Sequence, residues 1–411
     1  MANFLFYLIV GIIAFDYVLD RFLEYLNSTY WTNELPEELS GIYDSEKYEK
    51  FLNYEKTKHR FSLFTDSFSL ILMLLMLFLS GFAYVDSIAQ SYSENPIIIA
   101  LIFFGIIAFG SDLMSTPFSL YSTFVIEEKF GFNKTTKKTF VLDKIKGWIL
   151  GGIIGGLLMA FIIWIYQVSG NLFWVYAWSA VSVFSLFMMF FYSTLIVPMF
   201  NKQTPLEEGE LRNAIEEYAK KVGFNLKNIF VIDGSKRSTK ANAYFTGFGS
   251  QKRIVLYDTL IKDHSTEELV AVLAHEVGHY KKHHTIYGMI ISIIQTGFVF
   301  FILSLFIDNP ELSKALGTTK PSFHIGILAF GLLYSPISLI SGLLMSIISR
   351  KHEYQADQFA KGTYGFIHLK SALIKLSANN LSNLNPHPWY VFIHYSHPTL
   401  LQRIKAMESN K

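Results

Sequence analysis

The chain has 411 residues, of which 51% are hydrophobic and only 17% are charged, against about 25% charged in an ordinary soluble domain. This composition excludes a disordered or fibrous chain and argues against an ordinary cytosolic enzyme. The formal net charge of +2 gives no support to nucleic-acid binding. The absence of cysteine excludes disulfides, thiolate zinc sites and a cysteine nucleophile. Any metal must therefore be held by histidines and carboxylates.

Seven stretches are apolar enough to cross a membrane, since a span needs about 20 mainly apolar residues. They lie near residues 3–22, 63–84, 97–118, 146–167, 172–198, 285–307 and 323–348. The first stretch has neither a positively charged start nor a small-residue cleavage site, so we interpret it as a span rather than a signal peptide. The predicted fold class is an α-helical integral membrane protein with seven transmembrane helices.

Lysine and arginine counts in the connections predict the orientation of these spans. Residues 21–60 hold six, the loop at 129–146 holds six, and the connections after the second and fourth spans hold none. The N-terminus is therefore expected outside or in a lumen, with residues 199–284 and 349–411 on the cytoplasmic side. A bacterial cytoplasmic membrane and an endoplasmic reticulum membrane both fit this orientation.

The predicted spans carry polar and small residues that need an explanation. Four acids lie in them, namely Asp16, Asp20, Asp66 and Asp112. Such acids either face a wet interior cavity or bond a neighbouring helix near a membrane end, and four together favour a polar interior. In the fourth span Gly147, Gly151 and Gly155 recur every four residues, which predicts a face for close helix packing.

The chain between the fifth and sixth spans has the composition of a small α+β unit. Thr204, followed by Pro205 and then Glu207, predicts a helix start, and Gly223 predicts the end of that helix. Short strands are predicted at 229–232, 241–246 and 253–257. A second helix is predicted from Ser265. The predicted organisation is 1–198 with five spans, 199–284 as a soluble insert, 285–348 with two spans, and 349–411 as a C-terminal segment.

The second helix of the insert carries the sequence HEVGH at 275–279. His275 and His279 are about one turn apart, so both imidazoles project from one helix face and can occupy two corners of a zinc tetrahedron. Glu276 can act as general base on a water whose pKa zinc lowers to about 7. The pentapeptide also occurs by chance, but the predicted helix around it and the strands before it supply the expected context.

A catalytic zinc site needs a third protein ligand and an open fourth position. No further histidine follows at the metzincin spacing, so the remaining candidates are carboxylates. Glu353 and Asp357 lie four residues apart just after the seventh span, on one face of a predicted helix. Glu353 can complete the ligand set while Asp357 supports a ligand histidine from behind. A solvated charged face at a membrane end is the alternative, and spacing alone leaves both open.

Short motifs that resemble those of one protein family are spread over nearly the whole chain. They are YSTFVIEEK at 121–129, GFNK at 131–134, FNK at 200–202, SKRS at 235–238, NAYF at 242–245, HEVGH at 275–279, EYQAD at 353–357, and HYSHPTL at 394–400 with Arg403 after it. Together they resemble the type I CAAX prenyl proteases, the a-factor-converting family of seven-span membrane zinc metalloproteases. Several of these motifs lie outside the expected catalytic centre.

This resemblance implies a cofactor, an architecture and a reaction. It implies that Glu353 is the third ligand of one zinc ion and that the seven helices enclose a large water-filled chamber, with the zinc site at its cytoplasmic end. It implies protein or peptide substrates ending in a prenylated cysteine plus three residues, cleaved after that cysteine. His283 and His284 are then expected to be exposed or behind the ligands, because three protein ligands already suffice.

The resemblance also suggests roles for residues beyond the ligands. His397 and Arg403 would stabilise the tetrahedral oxyanion and orient the substrate, while Asn242 and Ala243 would lie on an edge strand that holds the peptide backbone. The alternatives are a helix-start turn at His397, an ion pair for Arg403, and a turn-forming role for Asn242.

Two other functions remain open from the sequence. One is a heat-shock protease of the HtpX type that degrades misfolded membrane proteins, although that group typically has fewer spans. The other is a non-enzymatic transporter with a structural metal, which the intact general base Glu276 argues against. We expect a monomer that contacts the lipid membrane and binds no nucleic acid.

Overall fold

The structure is a computed structural model that describes all residues except 35–36, 38–39, 225, 227, 247–252 and 410–411. Long helices form the N-terminal half: α1 (Ala2–Ser28), α2 (Ser45–Phe78), α3 (Gly81–Tyr92), α4 (Pro96–Tyr121), α5 (Lys137–Ser169), α6 (Phe173–Phe191) and α7 (Val197–Phe200). π-helical turns extend α4 over Ser122–Glu127 and α6 over Tyr192–Ile196. Pro117 lies in the last turns of α4; a proline removes one helical hydrogen bond, which accounts for the change of winding after it.

The central part of the chain forms the α+β unit, and helices follow it. The unit contains β1 (Gln203–Pro205), α8 (Glu210–Lys221), β2 (Asn228–Ile232), β3 (Ala243–Thr246), β4 (Arg253–Tyr257), α9 (Asp258–Asp263) and α10 (Thr266–Lys281). Then come α11 (His284–Phe306), α12 (Pro310–Ala315), α13 (Phe323–Leu333), α14 (Ser335–Thr363), α15 (Phe366–Asn379), α16 (Pro388–His394) and α17 (Leu400–Glu408). The three predicted strands and the second predicted helix of the insert are confirmed.

Among the described residues, five helical stretches are long and apolar enough to cross a membrane, and the number is six if α13 and α14, bent by 56°, form one span. The five are Ala2–Ser28, Ser45–Phe78, Pro96–Glu127, Lys137–Phe200 and His284–Phe306. The chain is therefore a helical protein that spans a membrane several times. The first and third predicted spans lie within α1 and α4, and the sixth matches α11 to within one residue.

The stretch Lys137–Phe200 contains 64 residues, which would measure about 96 Å as one straight helix. It instead reverses near Gly170, whose φ of +51° suits a residue without a side chain. The aromatic rings of Tyr166 and Phe173 then meet edge to face at 5.3 Å between centroids. Helices α5 and α6 therefore pack against each other as a helical hairpin.

The second predicted span, 63–84, is wrong as a single helix. Helix α2 begins much earlier, at a cap where the Asp44 side chain accepts a hydrogen bond from the Lys47 backbone N–H, and it ends at Phe78. Ser80 has a φ of +53°, and a new helix begins at Gly81. The turn is tight, because a Cβ at Gly81 would lie 2.6 Å from the sulfur of Met76.

Two further expectations are wrong. The helix predicted from Thr204 begins at Glu210 instead, because Gln203–Pro205 pairs with β2 as an edge strand, where proline is tolerated. The predicted packing face of α5 is open within the described chain: a Cβ at any of its three predicted packing glycines would meet nothing within 4 Å. Those glycines are Gly147, Gly151 and Gly155.

The sheet has the strand order β1-β2-β4-β3, with β2 and β4 parallel and both outer pairs antiparallel. Its core lies against α8 and α10, where Ile215, Leu256 and Leu273 are almost completely buried. Because β3 is at the end of the strand order, one of its sides pairs with no other strand among the described residues.

The acids of the predicted spans are paired with polar groups. Asp66 lies 2.7 Å from Arg21, and Asp112 lies 2.7 Å from Lys144. Asp16 accepts a hydrogen bond from Ser335. Asp16 and Asp20 also line a cavity of about 670 Å³ together with Ser335, Ser338 and His394. Two of the acids are therefore paired between helices, and two line a cavity with both polar and apolar walls.

Candidate metal centre and active site

Helix α10 is anchored at its N-terminus by the predicted capping box. The Ser265 side chain accepts from the Glu268 backbone, and the Glu268 side chain accepts from the Ser265 backbone. The buried Glu268 carboxylate also accepts from Ser371 at 2.6 Å and from Lys375 at 2.8 Å, both on α15. Burial alone would raise the pKa of Glu268, but these hydrogen bonds outweigh it and hold the pKa below its ordinary value. The first turn of α10 is therefore held against α15, and His275 and His279 follow further along the same helix.

Three metal-binding side chains converge from two helices. His275 and His279 lie on α10 and Glu353 lies on α14, and one donor atom from each lies within 4.8 Å of the others. Nε2 of His279 is 3.2 Å from Nε2 of His275 and 3.2 Å from Oε1 of Glu353. Nε2 of His275 is 3.4 Å from Oε2 of Glu353. The structure thus brings together the three residues that the sequence predicts as ligands.

The donor set fits a zinc ion. Ligand atoms at about 2.0–2.1 Å from a tetrahedral zinc ion lie about 3.3–3.4 Å from one another. The nearest donor–donor distances span 3.2–3.4 Å, with each histidine closest to a different oxygen of Glu353. Two imidazole nitrogens and one carboxylate are also a common ligand set of catalytic zinc sites. His275, His279 and Glu353 therefore form a donor set that suits a zinc ion.

Asp357 supports His275 from the side away from the ligand atoms. Its carboxylate accepts from Nδ1 of His275 at 2.8 Å and takes two hydrogen bonds from Arg403, at 2.6 and 2.8 Å. Because an ionised carboxylate only accepts, Nδ1 of His275 carries a hydrogen, and Nε2 is the ring nitrogen that faces the other two candidate ligands. Burial lowers the pKa of His275, but hydrogen bonds to Asp357 and Glu353 outweigh it and raise the pKa to about 9. The pocket therefore favours positive charge.

Gly278 sets the distance between the two ligand helices, and the sequence analysis gave it no role. A Cβ at this position would lie 3.0 Å from both Cα and the carbonyl oxygen of Ala356, and 3.1 Å from Cβ of Phe359. The absence of a side chain lets α10 and α14 approach closely enough for Glu353 to reach the histidines. The signal in the sequence is the small residue within each motif, glycine in HEVGH and alanine in EYQAD.

One cavity of about 510 Å³ opens onto the ligands. Its lining includes Asn242, Ala243, Glu276, His397 and Arg403, so the predicted catalytic and substrate-binding residues share this cavity. Nε2 of His397 lies 3.4 Å from Oε1 of the ligand carboxylate on α14, and the His397 side chain is 63% exposed. Asn242 and Ala243 lie where β3 begins, at the end of the sheet.

His284 occupies the space behind His279, consistent with its expected place outside the ligand set. It is buried, and Nδ1 of its ring lies 3.0 Å from Nδ1 of His279. His283 is exposed and has a φ of +60° at the corner between α10 and α11.

Apolar helices that can span a membrane, together with a possible metal site formed by two histidines of the α+β unit and one glutamate of α14, are typical of a membrane-embedded metallopeptidase. Two family models match the chain in succession: the CAAX prenyl protease N-terminal region with five membrane helices matches residues 26–202, and peptidase family M48 matches residues 205–411. The chain belongs to peptidase family M48, among the CAAX prenyl protease 1 homologues, and is a metalloendopeptidase that acts on a protein or peptide.

Individual relatives agree over almost the full length. The CAAX prenyl protease 1 homolog of Oryza sativa is 39% identical over 382 residues, which cover 91% of this chain and 90% of the relative. The CAAX prenyl protease 1 of Saccharomyces cerevisiae is 38% identical over 401 residues, covering 91% and 88%. The crystal structure of S. mikatae Ste24p superposes with a TM-score of 0.92 at 37% identity, covering 98% of this chain and 99% of that one. The match at residues 26–202 favours this group over the heat-shock alternative.

Proposed function

We propose that this protein is a zinc-dependent endopeptidase that removes the C-terminal tripeptide after a prenylated cysteine. The observation that carries the proposal is the single cavity that joins the three converging ligands, Glu276 and the first residues of the edge strand β3. Relatives with up to 39% identity are CAAX prenyl proteases by name, which supports this substrate class.

The chemistry follows from the residues around the cavity. A zinc ion held by His275, His279 and Glu353 supplies Lewis acidity, which acidifies water and polarises a carbonyl group. Glu276 borders the cavity next to His275, accepts the proton of the attacking water and later delivers it to the leaving amine. His397 reaches the same cavity from the C-terminal segment and donates a hydrogen bond to the oxygen that becomes negative.

The remaining site residues position these groups. Arg403 and Asp357 form two hydrogen bonds with each other, so Arg403 orients His275 through Asp357 as well as bordering the substrate cavity. The backbone groups of Asn242 and Ala243 pair with the substrate chain, because an extended peptide can add to the edge of a sheet. Cleavage after one fixed residue then follows from the register of this pairing.

The membrane part is proposed to cross the bilayer seven times. Helices α5 and α6 then make two crossings, and the bent pair α13–α14 makes one. The apolar windows of the five stretches other than α13–α14 bury only 6–17% of their residues within the described chain. Helices that form the wall of a hollow chamber have lipid on one side and water on the other, which supports a chamber inside the bundle.

The proposed orientation places the N-terminus outside and the α+β unit in the cytoplasm. Single cysteines introduced at the exposed positions 90 and 314 should react with a membrane-impermeant thiol reagent added outside. Cysteines at 50, 140 and 262 should react only after the membrane is opened, and the cysteine-free wild type serves as the control. Labelling of position 262 from outside contradicts the orientation.

The proposed reaction is tested with a farnesylated CAAX peptide and its unprenylated twin. We expect release of the tripeptide from the farnesylated peptide, loss of release with a chelator, and recovery when zinc is added. The Glu276→Gln variant is the matched control, since it keeps the three ligands. Equal cleavage of both peptides contradicts the prenyl requirement and favours a quality-control protease. Release that survives complete metal removal contradicts the metal mechanism.

A further inference from the structure

On the side of its ring that faces away from the other candidate ligands, His279 contacts the buried side chain of His284. Its Nδ1 lies 3.0 Å from Nδ1 of His284, and Nε2 of His284 lies 2.8 Å from Oε1 of Gln355. His284 is only 6% exposed. Its ring stacks on His352 at 3.9 Å between centroids and 8° between planes. A continuous row of polar contacts thus runs from α14 through the start of α11 to a ligand on α10.

The positions of the hydrogen atoms in this row follow from the Gln355 amide at one end. The amide oxygen of Gln355 only accepts, so Nε2 of His284 donates and its Nδ1 is free of hydrogen. That nitrogen accepts from Nδ1–H of His279, which leaves Nε2 of His279 free of hydrogen and facing the other ligands. If the amide of Gln355 were reversed, Nδ1 of His284 would donate instead. His279 would then carry its hydrogen on Nε2, where it would block metal binding.

The position of His284 depends on a corner in the backbone. His283 has a φ of +60° between the end of α10 and the start of α11. This left-handed residue turns the chain, so the first side chain of α11 lies behind the last ligand of α10. Gln355 lies on α14 between Glu353 and Asp357, the residues that contact the metal site directly. The EYQAD motif therefore supplies a third side chain, which contacts the neighbour of His279 rather than the ligand atoms.

We infer that His284 and Gln355 are positioning residues for the metal ligand His279. They hold its ring in place and keep the hydrogen on Nδ1, as Asp357 does for His275. The inference rests on the proposed metal site. Partners that orient a metal-bound histidine typically contribute about 10–100-fold to metal affinity. His279 differs from His275 in having a neutral partner, so this support adds no negative charge to the site.

The test compares variants of His284 in the purified full chain. His284→Leu removes the acceptor, whereas His284→Asn keeps an oxygen at about the position of Nδ1, since both atoms are two bonds from Cβ. Zinc affinity is measured by competition with a chromophoric chelator, and ligand geometry by the absorption spectrum of the cobalt-loaded protein. We expect a loss of about 10–100-fold for His284→Leu and near-normal affinity for His284→Asn.

Two further variants complete the test. Gln355→Leu should weaken zinc binding less than His284→Leu. It removes the acceptor that holds the hydrogen on Nε2 of His284, but it keeps the His284 ring that accepts from His279. His283→Asn is the matched control, since His283 is an exposed neighbouring histidine and asparagine tolerates a positive φ; it should bind zinc normally.

Unchanged zinc affinity and cobalt spectrum in both His284→Leu and Gln355→Leu overturn the inference, even if the melting temperature falls. If His284→Leu does not fold, the comparison of Gln355→Leu with His283→Asn decides, and equal zinc affinity overturns the inference. A Glu353→Ala variant separates this result from failure of the metal site. Normal zinc binding in Glu353→Ala contradicts the site itself, whereas loss of zinc there with normal binding in His284→Leu contradicts only the positioning role.

Discussion

Replacing Gly278 by alanine adds one methyl group at the closest approach of α10 and α14. The new Cβ would lie 3.0 Å from Cα and the carbonyl oxygen of Ala356 and 3.1 Å from Cβ of Phe359. Optimal contacts between carbon atoms are about 3.5–4.0 Å. The opposing atoms belong to the α14 backbone or sit next to it, so they cannot turn aside. The two helices must therefore move apart by roughly 0.5–1 Å.

This displacement acts directly on the metal site, because α10 carries His275 and His279 whereas α14 carries Glu353. Metal and catalytic groups need to be held within about 0.5 Å of their working geometry. We expect zinc affinity to fall by about tenfold or more, with turnover falling alongside it. Overpacking destabilises a fold by about 1–3 kcal/mol, and the better helix propensity of alanine offsets up to about 1 kcal/mol. The net cost of about 0–3 kcal/mol is comparable with the roughly 1.4 kcal/mol of a tenfold loss of affinity, so zinc binding and stability must be measured separately.

The assay measures zinc content after equilibration with a competing chelator and the melting temperature of the same preparation. Gly362→Ala is the matched control, since Gly362 lies on α14 and a Cβ there would meet nothing within 4 Å. That variant should bind zinc normally and melt at the same or a slightly higher temperature. Normal zinc affinity in Gly278→Ala would refute the view that this glycine sets the ligand distance.

Four other predictions concern the same site. Glu353→Ala should lose zinc and turnover together, and full zinc occupancy would remove Glu353 from the ligand set. Glu276→Gln should keep zinc but lose turnover because an amide cannot accept the proton; normal turnover would mean another base. His397→Ala should keep zinc and lower kcat by roughly 100–1000-fold, and an unchanged kcat excludes the oxyanion role. Glu268→Gln should lower the melting temperature at pH 7. The folded-state pKa of Glu268 lies below its ordinary value of 4.5, so the stabilisation exists above that pH and is lost below it. The difference between the two proteins should shrink in acid, and a constant difference contradicts the ionised role.

Local signals were sufficient for the helix that carries HEVGH. Ser265 and Glu268 form the capping box that their spacing predicts, and an apolar run follows them into the sheet core. Spacing also places Glu353 and Asp357 on one face of a helix. Whether that face meets the histidines depends on how two helices cross. The crossing is set by the contact between Gly278 and Ala356, which are distant in sequence.

Local signals failed where a long-range partner competed with them. Thr204, Pro205 and Glu207 form a reasonable helix start by themselves. The backbone N–H of Leu206 instead donates to the carbonyl of Ile229 at 2.9 Å, next to the β1–β2 pairing, so the sheet determines the local conformation. The same limit applies to His284, whose role depends on the side chain of Gln355 across the fold.

The metal centre is assembled across the boundaries that the sequence predicts between segments. The insert at 199–284 supplies His275 and His279, but Glu353 comes from α14, which with α13 forms a bent pair apolar enough to cross a membrane. The partner of His279 opens α11, another helix with that character. Two apolar helices thus deliver one proposed ligand and the proposed support of another. A change in the packing of α11 or α14 therefore alters the metal site, and the insert alone lacks the groups needed to form it.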